Sequence, residues 1–328
     1  MKAIVATGYG APEVLQLQEV AKPQPKDNEV LIKVHATSAT TADGMMRTGK
    51  PYVGRLFTGM RKPKHPIPGT GFAGVVESFG KNVTSFNAGD RVFGETTLGF
   101  STNAEYVIIP ENGVVLPMPE NLNFEEATTY CDGPLTSLNF LKDIARIKPG
   151  QKVLINGASG SLGTAAIQIA KYFGAEVTGV CSSRNVGLVK SLGADHVINY
   201  LTEDFTGNGE KYDVIYDTIG KSSYNESKRA LTEKGQYVSP VLKFGLLMQM
   251  LWTSKLSAKK AKFAATGLRT DNELRDMLKD LVEFYKDGKL KTVIDRQYPL
   301  EKVAEAHRYI AGGRKKGNVV ITVQEQIK

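Results

Sequence analysis

Cysteine is nearly absent from this chain: its 328 residues include only Cys131 and Cys181. Two thiols so far apart exclude a disulfide framework and predict free cysteines in a reducing compartment. Long apolar runs are missing as well. No stretch approaches the roughly 20 residues that span a bilayer, and Met1-Lys2-Ala3-Ile4-Val5-Ala6-Thr7-Gly8 lacks the extended apolar segment of a secretory signal. A cytoplasmic protein without stable membrane insertion is therefore expected. Histidine is scarce, and His35, His65, His196 and His307 show no metal-ligand spacing, so they read as surface or strand residues. Charge is not concentrated either: the net value is +8, but the basic residues are scattered, which argues against a nucleic-acid partner and fits an anionic small ligand. There is no internal repeat and no low-complexity tract.

The length suits two domains of about 150 residues. Before residue 122 the chain reads as β-rich, with Val30-Leu31-Ile32-Lys33-Val34 and Ala104-Glu105-Tyr106-Val107-Ile108-Ile109 separated by Gly, Pro, Asn and Asp, the pattern of a small barrel. From residue 123 helices alternate with buried strands at Val153-Leu154-Ile155, Glu176-Val177-Thr178-Gly179-Val180, His196-Val197-Ile198 and Tyr212-Asp213-Val214-Ile215-Tyr216, which implies parallel βαβ units. Leu274, Met277, Leu278, Leu281, Val282 and Tyr285 recur at helical spacing, with Asp271 or Asn272 as the N-cap and Gly288 just past the end. Strands at Lys291-Thr292-Val293-Ile294-Asp295 and Asn318-Val319-Val320-Ile321-Thr322-Val323 return the tail to the first domain.

Gly157, Gly160 and Gly163 follow a buried strand and open the helix Thr164-Ala165-Ala166-Ile167-Gln168-Ile169-Ala170-Lys171. The spacing is G-x-x-G-x-x-G, and the absent Cβ atoms let backbone N–H groups and the positive helix end approach a pyrophosphate. The next strand runs into Cys181-Ser182-Ser183-Arg184-Asn185. A carboxylate there would hold the ribose 2′-OH of NADH; Arg184 and Ser182 instead suit the 2′-phosphate of NADPH. Ser182 or Ser183 also fits the cap of the following helix.

Gly89-Asp90-Arg91-Val92, Ala104-Glu105-Tyr106, Gly133-Pro134-Leu135-Thr136, the Gly157 to Gly163 turn, Leu192-Gly193-Ala194-Asp195-His196-Val197-Ile198-Asn199-Tyr200 and Lys316-Gly317-Asn318-Val319-Val320 together give the resemblance. Over nearly its whole length the chain resembles the medium-chain dehydrogenase/reductase superfamily, in its zinc-free quinone oxidoreductase-like branch. The resemblance implies an α/β protein: a GroES-like β-barrel catalytic domain from residues 1–122 and 288–328, and a Rossmann doubly wound parallel sheet from residues 123–287, with the active site in the cleft between them. It implies that Thr136 packs by the nicotinamide, that Ser159, Ser161 and Leu162 line the pyrophosphate with the three glycines, that Tyr200 joins Ser182 and Arg184 at the 2′-phosphate with Lys171 nearby, and that Asn318 belongs to the cofactor site. Zinc-dependent relatives carry Cys, Gly-His-Glu and Cys where this chain has Thr40, Gly69-Thr70-Gly71 and Asp132, so no zinc site is expected. Without a Lewis acid, reduction of quinones or α,β-unsaturated carbonyls by hydride from NADPH remains feasible, with Tyr52, Thr40 and Asp43 as candidate catalytic residues and a homodimer as the expected assembly. Two alternatives stay open. One is an NADPH-binding sensor or interaction protein with little turnover. The other concerns Phe244 to Trp252 beside Lys255, Lys259, Lys260 and Lys262, which fits a helix over the cleft or a dimer surface and also fits docking on anionic lipid.

Overall fold

The computed structural model describes residues 1–50 and 52–324. The chain begins with β1 (Lys2–Ala6), β2 (Leu15–Glu19) and β3 (Glu29–Ala39), then the helices α1 (Thr41–Thr48) and α2 (Arg55–Thr58). β4 (Gly71–Phe79), β5 (Arg91–Glu95), β6 (Tyr106–Pro110), β7 (Val114–Pro117) and α3 (Phe124–Thr129) follow. Next come α4 (Gly133–Leu138), β8 (Lys152–Asn156), α5 (Ser161–Tyr172), β9 (Glu176–Cys181), α6 (Val186–Ser191), β10 (His196–Asn199) and β11 (Tyr212–Asp217). The chain closes with α7 (Tyr224–Ser227), β12 (Leu231–Ser239), α8 (Phe244–Leu256), β13 (Lys260–Phe263), α9 (Asp271–Lys286), β14 (Ile294–Pro299), α10 (Val303–Ala311) and β15 (Asn318–Thr322).

Two compact units result: Met1–Asp132 with Thr270–Lys279 and Ile294–Lys328, and Gly133–Arg269 with Asp280–Val293. The first is the GroES-like unit. Its sheet runs β14-β15-β3-β4-β5-β7, with β6 also paired to β3. β3 pairs with three strands, and eight of its eleven residues are buried, so its apolar Val30, Ile32 and Val34 meet Phe72, Val76 and Val92 in one core. β15 pairs antiparallel with β3, and the last helix, α10, together with the short turn before it, seals a second core in which Leu300, Val303 and Ala306 pack with Ile4 and Leu15.

The second unit is the doubly wound parallel sheet, in the order β10-β9-β8-β11-β12-β13. Val153, Leu154 and Ile155 of β8 are wholly buried because helices cover both faces of a parallel sheet, which is why these strands read as unbroken apolar runs. The order reverses between β8 and β11, and ligands of such sheets gather beyond the carboxyl ends of the strands at that point.

Several local readings needed correction. α9 is capped by Thr270, not by Asp271 or Asn272: the Thr270 N–H and hydroxyl donate to Glu273 Oε2 at 3.0 and 2.9 Å, and Glu273 N–H returns a bond to Thr270 Oγ1 at 3.4 Å, a capping box. The strand expected from Lys291 begins at Ile294, because Gln168 takes the Lys291 backbone, accepting from its N–H at 2.8 Å and donating to its carbonyl at 3.0 Å. His307, expected on a strand or at the surface, is 2 % exposed on α10.

Leu154→Ala empties a site in the middle of the parallel sheet and is expected to lower stability by about 2–5 kcal/mol, whereas Thr270→Ala loses one helix cap, about 1 kcal/mol. Urea unfolding of the two variants checks this; equal losses would contradict the placement of either residue.

Candidate cofactor and active site

The carboxyl end of β8 turns sharply at Gly157, whose φ is +85° and where a Cβ would stand 2.6 Å from Thr218 Oγ1 and 2.7 Å from Ile219 Cγ2. The N–H groups of Gly157 and Ala158 both donate to the Val180 carbonyl, at 3.2 and 3.0 Å, tying the turn to β9. Gly163 lets α5 rest directly on the turn: a Cβ there would lie 2.2 Å from the Gly157 carbonyl oxygen. Gly160 differs from both. It is the N-cap of α5 and supplies no side-chain cap, and a Cβ on it would have only the Gly157 carbonyl oxygen, 3.6 Å away, within reach. The start of a twelve-residue helix is thus open at Gly160, while Ser161, Gly163 and Thr164 behind it are buried, which fits a pyrophosphate approaching the backbone N–H groups at that end.

Around this turn the expected residues gather within the second unit. Ser159 Oγ accepts from Asn185 Nδ2 at 2.9 Å, joining the turn to the loop after β9. Leu162 is partly exposed, and its carbonyl accepts from Ser137 Oγ at 2.8 Å. Ser161 is buried with its Oγ against Gly133, where an added Cβ would be 2.5 Å away; its hydroxyl is part of the α4 to α5 packing, not of an open lining. Thr136 is the one residue of α4 that is not buried.

At the end of β9, Ser182 makes no cap bond to the short turn that follows, so the alternative of Ser182 as a helix cap is not what forms. Arg184 is exposed, and Tyr200, 58 % exposed, is held there by its N–H to the Cys181 carbonyl at 3.2 Å. Lys171 is engaged elsewhere: its Nζ lies 2.9 and 2.8 Å from the two Asp195 carboxylate oxygens.

In the first unit Thr40 and Asp43 hydrogen-bond to each other. Asp43 Oδ2 accepts from the Thr40 N–H and hydroxyl at 2.8 Å each, while Thr40 Oγ1 accepts from the Asp43 N–H at 3.0 Å, forming the capping box of α1. Burial raises Asp43 to about 6 against those bonds. Tyr52 is 66 % exposed, with the Arg55 guanidinium 4.9 Å from its ring centre. Asn318 lies in this unit too, on β15 opposite Ile294. Among the described residues no three of His, Cys, Asp and Glu are arranged to hold a metal ion. His35 stacks on Phe124 at 4.3 Å, His196 pairs with Glu176 at 3.3 Å, and burial lowers His307 to about 4.

Sequence reasoning missed Asp217, Asn185 and Glu95. Asp217 is wholly buried at the end of β11 and accepts from Asn156 Nδ2 (3.1 Å), Ile219 N–H (3.3 Å), Gly220 N–H (3.0 Å), Ser222 N–H (3.0 Å), Ser222 Oγ (2.9 Å) and Tyr237 OH (2.8 Å). An acidic residue closing an apolar strand was the available signal. Glu95 is pushed up to about 8 by burial and by Asp132, Asp43 and Asp271.

Residues 26–120 match the family of alcohol dehydrogenase GroES-like domains and residues 192–321 the family of zinc-binding dehydrogenases. The chain is 33% identical over 323 residues to the quinone oxidoreductase of Pongo abelii, covering 95% of this chain and 94% of that one. It is 34% identical over 333 residues to the 2-methylene-furan-3-one reductase of Solanum lycopersicum, covering 98% and 79%. Among solved structures, the quinone oxidoreductase of Coxiella burnetii superposes with a TM-score of 0.88 at 30% identity over 99% of both chains. The Escherichia coli quinone oxidoreductase complexed with NADPH does so with 0.85 at 25% identity over 98% and 100%. Fold and phosphate-binding turn define a dinucleotide-dependent oxidoreductase. The chain belongs to the quinone oxidoreductase-like branch of the medium-chain dehydrogenase/reductase superfamily.

Gly160→Ala places a methyl group in open space, so thermal unfolding is expected to stay unchanged while nicotinamide dinucleotide binding weakens about tenfold, about 1.4 kcal/mol. Calorimetric titration beside a melting curve checks it; unaltered binding would remove this turn from the cofactor site.

Proposed function

We propose that the protein is an NADPH-dependent reductase of quinones and α,β-unsaturated carbonyls that works without zinc. The observation that carries the cofactor choice is the end of β9, where Ser182 and Arg184 follow the strand, the Tyr200 N–H donates to the Cys181 carbonyl and no carboxylate stands. Arg184 makes no hydrogen bond or ion pair among the described residues, so its guanidinium is available to phosphate oxygens as a planar fork. Ser159, Gly160 and Leu162 would hold the pyrophosphate and Thr136 the nicotinamide end. When bound, the reduced nicotinamide supplies a hydride. The residues' task is orientation: the α4 to α5 contact fixes Thr136, and the exposed Tyr52 phenol is a hydrogen-bond donor for the acceptor's oxygen.

The zinc-free reading is supported by Thr40, Thr70 and Asp132 at the positions where zinc-dependent relatives carry Cys, His and Cys. The acceptor class follows from it, since conjugated carbonyls accept hydride without a Lewis acid, and the named relatives are said to reduce such compounds. Two free, buried cysteines suit a reducing compartment such as the cytoplasm. No helix among the described residues is long and apolar enough to cross a membrane. A homodimer is favoured by β13, which ends the sheet order, and by α8 beside it, whose Phe244, Leu251, Trp252 and Leu256 are 55–78 % exposed. Unpaired strand edges invite a backbone partner, which lipid cannot supply.

Arg184→Ala is expected to weaken NADPH by about 10- to 100-fold, the equivalent of 1.5–3 kcal/mol for a charge-assisted bond, and to leave NADH nearly unaffected. Fluorescence titration with both cofactors decides, and equal losses would refute the 2′-phosphate site. Native mass spectrometry of the purified protein is expected to give a dimer mass with no stoichiometric zinc; one tightly held zinc per chain would overturn the metal-free reading.

A further inference from the structure

The loop Gly69-Thr70-Gly71 leads into β4, and the cross-strand register sets Glu95 of β5 directly opposite Gly71. Opposed residues project from the same face, so Glu95 reaches over the face that Gly71 leaves bare. That spot is polar. A Cβ on Gly71 would stand 3.0 Å from Ser38 Oγ, 3.1 Å from the Thr128 carbonyl oxygen and 3.2 Å from Cys131 Cβ. Ser38 is 2 % exposed and Thr128 wholly buried, and the hydroxyls of both have no hydrogen-bond partner among the described residues. Buried hydroxyls with unspent capacity are uncommon in folded proteins.

Glu95 also lines a cavity of about 540 Å³, within the range of small-molecule sites. Apolar Ile67, Phe100 and Ile109 are among its walls, and among the described residues Glu95 and Asp271 are the only carboxyls that line it. Its rim is a strained loop, in which Thr97, Phe100 and Ser101 hold φ values of 50°, 54° and 83°, a region that residues with a Cβ rarely enter and that clusters at functional sites.

We propose that Glu95 is the proton donor of the reduction, acting on an acceptor whose apolar body enters this cavity and whose oxygen meets the Glu95 carboxyl. This rests on the reductase reading above. The charged groups that bear on Glu95 are Asp132 after α3, Asp43 of α1 and Asp271 at the start of α9, all acidic, and together with burial they keep its proton on up to a pH of about 8. The Cys131 thiol faces it as well and is itself raised by burial and by Glu95 and Asp132. In the balanced step an enone takes a hydride, with its electron pair, from the nicotinamide C4, which is oxidised. The C=C electrons shift toward the carbonyl, the Glu95 O–H bond breaks, and its proton passes to the carbonyl oxygen. The resulting enol returns to the ketone in water, and the Glu95 carboxylate regains a proton from solvent.

The test compares pH profiles of NADPH-driven enone reduction for the unaltered protein and Glu95→Gln, with an infrared titration of protonated carboxyls in both. For the unaltered protein, kcat/KM is expected to fall about tenfold per pH unit above about 8, and a carboxyl band is expected to disappear over the same range. Glu95→Gln is expected to lose that band and that alkaline limb, with kcat about 100-fold lower at neutral pH and NADPH affinity unchanged. An alkaline limb that survives in Glu95→Gln overturns the proposal while leaving the reductase reading intact. No turnover of any conjugated carbonyl or quinone by the unaltered protein overturns both. If Glu95→Gln does not fold, the unaltered protein still decides: rate and carboxyl band must titrate together, and a band that disappears well below the pH at which the rate falls refutes Glu95 as the donor.

Discussion

A single buried carboxylate organises the end of the parallel sheet at which its strand order reverses. Asp217 closes β11 with no solvent contact, and a carboxyl in such a place is tolerated only when its oxygens are hydrogen-bonded. Six donors meet that need, and each is a constraint on the chain that provides it. Asn156 ties the end of β8 to the end of β11, Ile219 and Gly220 curl the following loop back on itself, and Tyr237 links β12. Thr218 then donates to the Asn156 carbonyl at 2.8 Å and occupies the space beside Gly157. The tight turn is thus set from below, by the requirement to satisfy the oxygens of a buried side chain, before any phosphate contact is considered.

From that base the three glycines divide their work. Gly157 and Gly163 are demanded by packing, since a Cβ at either would collide with Thr218 and Ile219 or with the turn's own carbonyl. Gly160 is demanded by nothing inside the protein. A residue without a side chain, at a helix start where none is needed for packing and where a capping Ser, Thr or Asp would satisfy the helix better, makes sense when the orphan N–H groups are reserved for a ligand. The spacing alone could not separate these roles, because it records three glycines and not what each one touches.

The same limit explains which parts of the fold were legible in the sequence. The β8, β9, β10 and β11 runs and the amphipathic α9 announced themselves, because burial on both faces or on one helical stripe leaves a periodic apolar signal. β13 did not: Lys260-Ala261-Lys262-Phe263 reads as part of a basic run, yet Ala261 is buried while the two lysines reach back to backbone carbonyls, Lys260 to Thr253 at 2.8 Å and Lys262 to Ile144 at 2.7 Å. Lysines with apolar stems can flank a strand edge while their ends find oxygen. Thr270 was overlooked as a cap because Asp271 stands next to it and is the commoner signal. His307 was misplaced because the small, mixed pattern of Val303 to Ala311 hides which face turns inward, and only its neighbours on β1 and β2 settle that.

At the proposed catalytic end the sequence is informative through what is missing from it. Thr40 and Thr70 stand where zinc-dependent relatives are expected to carry metal ligands, and they do not say which group would stabilise charge in place of a metal. Thr40 and Asp43 are natural candidates by position, and the structure joins them in the capping box of α1. The carboxyl proposed as proton donor, Glu95, comes from a strand with no motif of its own. Its location depends on the register of β4 against β5, which brings residues 71 and 95 face to face across a separation that no local pattern can encode. Asp132, Asp43 and Asp271 are drawn into the same region of the β-barrel, and together with burial they raise the proton affinity of Glu95, so the fold and no local motif sets the protonation of that carboxyl.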